Sequence, residues 1–340
     1  MIDSNNARSG ICCGGTWVID SVKMISCWPR QDELAYILNQ EEGAGGSAYN
    51  VLMDLARFQL GIPLEGLGLV GQDEGGARVL RECKERGIDA RFVVSTDAAP
   101  TAYTDVMTVE GTGRRTFFHH RGANALLAPE HFPFQEFSSR LFLLAYLLLL
   151  DTLDQADEEF GTVAARVLAG LRAVGIETVI DLVSEDSDRF ASVVHPALPY
   201  TDYCIVNELE AGRTVGLDLR PGGKLNAEVM EEAAAALLEL GVRKVAVIHA
   251  PELSVALAKD GQALRQPSHR LPEGFIQGTV GAGDAFLAGV IAGVHEGWDL
   301  SRCLRFATAA AASCLRHPTT TAGVGTAAEI WELADRLPLQ

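Results

Sequence analysis

A chain of 340 residues with 48% hydrophobic and 7% aromatic content has enough apolar side chains for one large core or two smaller ones, which excludes a disordered protein. A formal charge of −17 and an isoelectric point near 4.9 would be repelled by a nucleic-acid backbone or an anionic membrane, but leave room for a small, metal-escorted anion. The seven cysteines form an odd set without a C-x-x-C pair or a zinc-spaced His/Cys cluster, and read as reduced, buried thiols of a cytoplasmic protein.

Met1 to Gly10 is polar, lacks the apolar centre of a signal peptide and reads as a frayed tail. Ile11 to Gly15 predicts a buried strand ending in glycine, and Thr16 to Asp20 continues extended. Asp20 then lies near a strand end, where it either holds two hydroxyls of a polyol or is an exposed turn acid. Glu42 to Asn50 opens a helix running through Val51, Leu52, Leu55, Ala56 and Phe58 toward Gly61, a plausible stop. The adjacent Gly45 and Gly46 allow a ligand to come close before that helix. Gly66 to Gly71 satisfies G-x-G-x-x-G, but its glycines lie inside an apolar strand and the next helix starts only near Glu74, so a dinucleotide site is rejected. Asp73 fits a helix cap.

Tyr103 to Val109 and Arg115 to His120 read as two strands joined by a turn at Glu110 to Arg114, a ribbon that could cover a site. His119 and His120 point to opposite sides of such a strand, so at most one meets a ligand; Arg121 is the stronger candidate, since its fork can pair with hydroxyls or a carboxylate. The apolar run Leu141 to Leu150 falls well short of the roughly twenty residues of a membrane helix and reads as a buried strand. From Asp151 the chain alternates helix (Glu158 to Ala173, Ala227 to Leu240) and strand (Glu177 to Leu182, Tyr203 to Val206, Lys244 to His249). That rhythm predicts a mostly parallel sheet covered on both faces, with ligands beyond the carboxyl ends of its strands. Asn207 and Glu210 lie at such an end, where from residue type alone they begin a helix with acids in its first turn.

The densest stretch is Gly278-Thr279-Val280-Gly281-Ala282-Gly283-Asp284. Phe286, Leu287, Val290, Ile291 and Val294 recur at helical spacing behind it, so the glycines stand where a helix begins and its first amides lack partners. Such an end attracts anions, and Gly281 and Gly283 let a phosphate approach. Asp284 is out of place beside an anion unless it handles a proton; the other reading is a first-turn acid after a glycine turn. Ala307 to Leu315 is a small-residue helix suited to a flat ring or to tight helix packing. No P-loop, H-E-x-x-H or G-x-S-x-G motif occurs.

Thr279, Gly281, Ala282, Gly283 and Asp284 match the motif D-T-x-G-A-G-D, with Gly278 in place of its first acid, and the stretch resembles the carboxy-terminal signature of the ribokinase-like (PfkB) carbohydrate kinase family. Gly45, Gly46 and Asn50, followed by Leu-Ala-Arg and a glycine, resemble that family's amino-terminal signature. Gly68, Gly71 and Asp73 match its G-x-x-G-x-D element, Asn207 and Glu210 its N-x-x-E motif, and Phe117 to Asn124 resembles its fructokinase-like branch. Two signatures in the right order extend the resemblance over nearly the whole chain.

The resemblance implies an α/β fold, a ribokinase-like three-layer sandwich with a mostly parallel sheet plus a small β-sheet lid. The core would be residues 11–15, 46–96 and 122–335, and the lid 16–45 and 97–121. It implies an ATP-dependent sugar kinase acting on a small ketose or sugar acid, with Asp284 as the base and Gly281, Ala282 and Gly283 as the anion hole. Asp20, Gly45, Gly46, Asn50, Arg121 and Asn124 would face the sugar. Asn207, Glu210 and Thr279 would serve the nucleotide, with Glu210 placing Mg²⁺ through water. A monovalent cation is left open by Gly278, and the turn His249 to Glu252 lacks the glycine that members place against the nucleotide. A homodimer through the lid, with no nucleic-acid or membrane partner, completes the expectation. A nucleoside kinase of the same fold and a non-catalytic sugar-binding regulatory protein are the alternatives, and an oxidoreductase ranks last.

Overall fold

The protein's structure, a computed structural model, describes residues 8–340. Among the described residues the strands are β1 (Ile11–Gly15), β2 (Val18–Ile25), β3 (Ile37–Gly45), β4 (Leu64–Gly71), β5 (Asp89–Thr96), β6 (Ala102–Val109), β7 (Arg115–His120) and β8 (Leu141–Leu147). They continue as β9 (Ala156–Asp157), β10 (Gly161–Thr162), β11 (Glu177–Leu182), β12 (Tyr203–Asn207), β13 (Val245–His249), β14 (Leu253–Ala258) and β15 (Ala263–Pro267). The α-helices are α1 (Ser47–Phe58), α2 (Glu74–Glu85), α3 (Val163–Ala173), α4 (Phe190–Val194), α5 (Glu208–Val215), α6 (Ala227–Glu239), α7 (Ala282–His295), α8 (Leu300–Cys314) and α9 (Ala327–Arg336).

The large sheet has the order β15-β14-β13-β12-β11-β8-β1-β4-β5. From β13 to β5 every pairing is parallel, and only β14 runs against the rest, pairing antiparallel with both β13 and β15. The side-chain period of two sends Leu141, Leu143 and Ala145 of β8 into one core with α1, α2, α7, α8 and α9. Phe142, Leu144 and Leu147 enter a second core with α3, α4, α5 and α6. Burial on both faces is why this run reads as continuously apolar, each leucine contributing roughly 1.5–3 kcal/mol on leaving water. A separate four-stranded sheet, in the order β3-β2-β6-β7, stands beside the carboxyl ends of the central strands. The ribokinase-like three-layer architecture with its small second sheet is the expected one.

Several local expectations need correction. The helix expected from Glu158 begins at Val163, because Asp157 Oδ1 accepts the amides of Glu159 and Phe160 in a turn and Thr162 caps α3 through the Ala165 amide. The chain before Gly46 is strand β3 rather than a lead into α1, and α1 stops at Gln59 in the left-handed region, before Gly61. Cys27 is exposed, whereas the other six thiols are buried. Of the expected tail, Met1 to Ala7 lie outside the described residues, while Ser9 and Gly10 are tied down through Ser138 O and His295 Nε2. The small residues Ala307, Ala309 and Ala310 pack α8 against α7 within the core. Among the described residues no helix is long and apolar enough to cross a membrane.

Candidate active site

The loop before α7 sets the centre of the site. Gly281 has φ 81°, and a Cβ there would lie 2.0 Å from Thr320 O, so only glycine fits. No side chain caps α7, which leaves the amides of Ala282, Gly283 and Asp284 open to an anion. Asp284 is buried in the first turn, and its Oδ2 accepts a 2.8 Å hydrogen bond from Asn50 Nδ2. Burial raises its pKa, while the donors Asn50 and Ser47 oppose the rise.

Those donors share one side of α1, because Ser47, Asn50 and Asp54 follow at three- and four-residue steps. Ser47 Oγ also donates to Asp181 Oδ2 at 2.8 Å. Asp54 is fully buried with both oxygens unpartnered, as is Asn50 Oδ1, and burial followed by Asp284 drives its carboxyl well above the usual range. Asp181 is raised by burial, then by Glu210 and Asp284. Tyr146, held at φ 58° at the carboxyl end of β8, has its phenol pushed up first by Asp284. Four acids, Asp20, Asp181, Glu210 and Asp284, therefore converge electrostatically on the end of β8.

The small sheet contributes a row of polar groups. Asp20 on β2 stands opposite Thr104 on β6, and Thr104 opposite His119 on β7. Burial, and after it Asp284, lifts Asp20 to about 6, while the Thr104 hydroxyl stabilises its charge. Thr104 Oγ1 lies 3.0 Å from His119 Nδ1, and His119 Nε2 is buried without a partner. A Cβ at position 45 would fall 2.1 Å from Asp20 Oδ2, so Gly45 makes room for the carboxylate. Gly46, at φ 88°, starts α1.

Other expected residues are placed differently. Asn124 does not reach the site: it is fully buried, and its amide closes on the backbone of Trp17, accepting from the amide and donating to the carbonyl, both at 3.2 Å. The Arg121 guanidinium is engaged by Asp151 and Glu185 and by Leu148 O. Thr279 is exposed beside the glycine loop. Gly278 packs on the loop that follows α8, where a Cβ would meet Pro318 Cα at 2.7 Å and His317 O at 2.8 Å, leaving no room for the acid of the family signature.

Asn207 and Glu210 form a capping box: Asn207 Oδ1 accepts the Leu209 and Glu210 amides, and Glu210 Oε2 accepts the Asn207 amide at 3.0 Å. Glu210 Oε1 takes Asn207 Nδ2 at 2.7 Å and Ser184 Oγ at 2.8 Å, and burial raises its pKa. The neighbouring buried carboxyls of Asp181 and Glu210 suit a hydrated divalent cation. His249, at the end of β13, lies against Gly283 and packs on Phe286 with ring centroids 4.9 Å apart; burial lowers its pKa to about 4.

Ser47, Asp54, Tyr146 and Asp181 were not singled out from the sequence. Asp181 is an acid inside an apolar strand, and Asp54 an acid in the apolar stripe of α1, which are signals of their own. Tyr146 carried none.

The profile described as "pfkB family carbohydrate kinase" matches residues 15–327. Adenosine kinase 1 of Arabidopsis thaliana is 25% identical over 289 residues, covering 82% of this chain and 79% of that protein. The ATP-dependent ribose-1-phosphate kinase of Halopiger xanaduensis is 26% identical over 302 residues, 84% of each chain. The Arabidopsis thaliana ribokinase structure with ribose and ATP superposes with a TM-score of 0.77 at 21% identity, over 96% of this chain and 99% of that one. With its fold, its signatures and a match over nearly its whole length, this chain belongs to the pfkB family of carbohydrate kinases.

Proposed function

We propose that the protein transfers the γ-phosphoryl group of ATP to a hydroxyl of a small carbohydrate, a ketose or a sugar acid. The observation that carries this reading is the juxtaposition of an uncapped helix start at Gly281 to Asp284 with a buried carboxylate positioned by Asn50. Asp284 accepts the hydroxyl proton as the new oxygen–phosphorus bond forms and the bond to the departing ADP oxygen breaks. The amides of Ala282, Gly283 and Asp284 donate to the phosphoryl oxygens, with Thr279 beside them on the nucleotide side. Glu210, in the box it forms with Asn207 and with Asp181 nearby, would hold Mg²⁺ through water, and that ion would supply charge that neutralises the phosphates. Asp20, with Gly45 and Gly46 giving it room, faces the sugar.

The grouping of β2, β3, β6 and β7 into a sheet of their own supports a division into a core of residues 11–15, 46–96 and 122–335 and a lid of 16–45 and 97–121. The lid excludes water, a competing acceptor. Its exposed Trp28, Leu34, Tyr36, Leu38 and Phe118 support a homodimer through this sheet. Buried free thiols support a cytoplasmic setting. The likeness to an adenosine kinase makes a nucleoside the rival acceptor.

The test is ADP formation with ketoses, aldoses, sugar acids and nucleosides, using the wild type and Asp284→Asn. Turnover of one acceptor class that collapses in the variant supports the proposal. Equal turnover in both removes Asp284 from the mechanism.

A further inference from the structure

Asp20, Thr104 and His119 make a continuous row across three strands on one face of the small sheet. Asp20 at the inner end is within electrostatic reach of Asp284. A carboxylate only accepts hydrogen bonds, so where the Thr104 hydroxyl stabilises the charge of Asp20 opposite it, its single proton goes there. Thr104 Oγ1 then has only lone pairs to offer His119 Nδ1 at 3.0 Å, which fixes the proton on Nδ1. The other ring nitrogen, Nε2, is left as a bare acceptor, buried and without a partner. An unpartnered buried acceptor costs free energy until a donor arrives.

The cations nearest this row are committed elsewhere. Arg121 is closed on Asp151 and Glu185, and Arg189 on Glu185 and Leu148 O. Arg115 shares the face of β7 with His119 but stands four residues away, roughly 13 Å by strand rise. The row therefore offers acceptors to hydroxyl protons, beside the further carboxyl of Asp284, and among the described residues no free cation. A carboxylate or phosphate on the acceptor would meet repulsion there.

We infer that the phosphoryl acceptor is a neutral polyol, bearing neither carboxylate nor phosphate, and that one of its hydroxyls donates to His119 Nε2, making His119 a specificity-determining residue of the site. This inference rests on the kinase reading above and narrows it, setting aside the sugar acid.

The experiment measures ADP formation by the full chain with D-ribose and D-fructose, with D-gluconate as an acid and ribose 5-phosphate as a phosphorylated sugar, and repeats it for His119→Ala and Thr104→Val. The neutral sugars are expected to be turned over and the anionic ones not. Both variants are expected to raise the neutral sugar's KM roughly 10- to 100-fold, with the KM for ATP and the kcat at saturating sugar changing less than about threefold. Thr104→Val is nearly isosteric and keeps the test valid if His119→Ala does not fold. Turnover of the acid or the phosphorylated sugar in preference to the neutral ones overturns the inference while the kinase reading stands. An unchanged sugar KM in both variants overturns the role of His119. No turnover with any acceptor class, nucleosides included, overturns the kinase reading as well.

Discussion

Asn50 and Asp284, 234 residues apart in the chain, meet through one buried hydrogen bond of 2.8 Å from Nδ2 to Oδ2. The two family signatures are thus mechanically one site: α1 brings the donor and α7 the acid. A donor to a carboxylate favours its charged form, so this contact holds down a pKa that burial pushes up. Asn50→Leu keeps volume and removes the donor. The acid limb of the kcat/KM profile should then move to higher pH by roughly one to two units, the equivalent of one hydrogen bond to a charged group. An unmoved limb would show that Asp284 is not the group titrating. In Asp284→Asn, kcat should fall by about 10²–10⁴ while sugar binding is largely kept.

Asp20 adds a pH dependence of stability. Its folded-state pKa is raised to about 6, chiefly by burial, from a model-peptide value near 3.8. The folded state therefore binds its proton more tightly than the unfolded chain, so the stability linked to Asp20 is fully present below pH about 4 and is lost as pH rises through about 6. Asp20→Asn removes this titration. The Tm of the wild type minus that of the variant should decline between pH 4 and 7 in thermal unfolding of the ligand-free protein. A difference that is flat or rises over that window would refute the raised pKa.

Gly278 is where the chain departs from the family signature, and the reason is spatial. A side chain there meets the backbone of His317 and Pro318, which cannot swing aside as a flexible side chain can. Gly278→Asp, which restores the signature, should lower Tm by several degrees, the consequence of roughly 1–3 kcal/mol of overpacking, and should not raise kcat. A stable, more active variant would show that the loop yields readily.

How much could be read in advance depended on whether a residue's partner was local. The β-α-β rhythm, the hairpin from Tyr103 to His120 and the starts of α2 and α7 are patterns of neighbouring residues, and the fold matched them. The misplaced start of α3 was also local: Asp157 and Thr162 are both capping types, and the first forms a turn, not a helix. The engagement of Arg121 by Asp151 and Glu185, the closure of Asn124 on Trp17 and the row from Asp20 to His119 are contacts between distant strands. Residue type alone named Arg121 as the group with the more versatile fork, but the register of β6 and β7 puts His119 in line with Asp20.

Gly45 gives the most selective probe of the sugar side. An alanine methyl there would stand 2.1 Å from Asp20 Oδ2, so the carboxylate must turn away or the strand must shift. Gly45 closes β3 against β2, and its neighbour Gly46 leads into α1, so the backbone has little freedom and the carboxylate is the part that moves. Gly45→Ala should thus reproduce Asp20→Ala, each weakening sugar binding by about 1–3 kcal/mol, because a buried hydroxyl loses its acceptor. In the proposed reaction ATP lies on the other side of Asp284, so its affinity should be nearly unchanged in both variants. The double variant should bind sugar no worse than the weaker single one, since the methyl acts only through a carboxylate that is no longer there. Calorimetric titration of sugar and of ATP into the three variants measures all of this. Additive losses in the double variant would mean that Gly45 contributes through its own contact with the sugar, not by making room for Asp20.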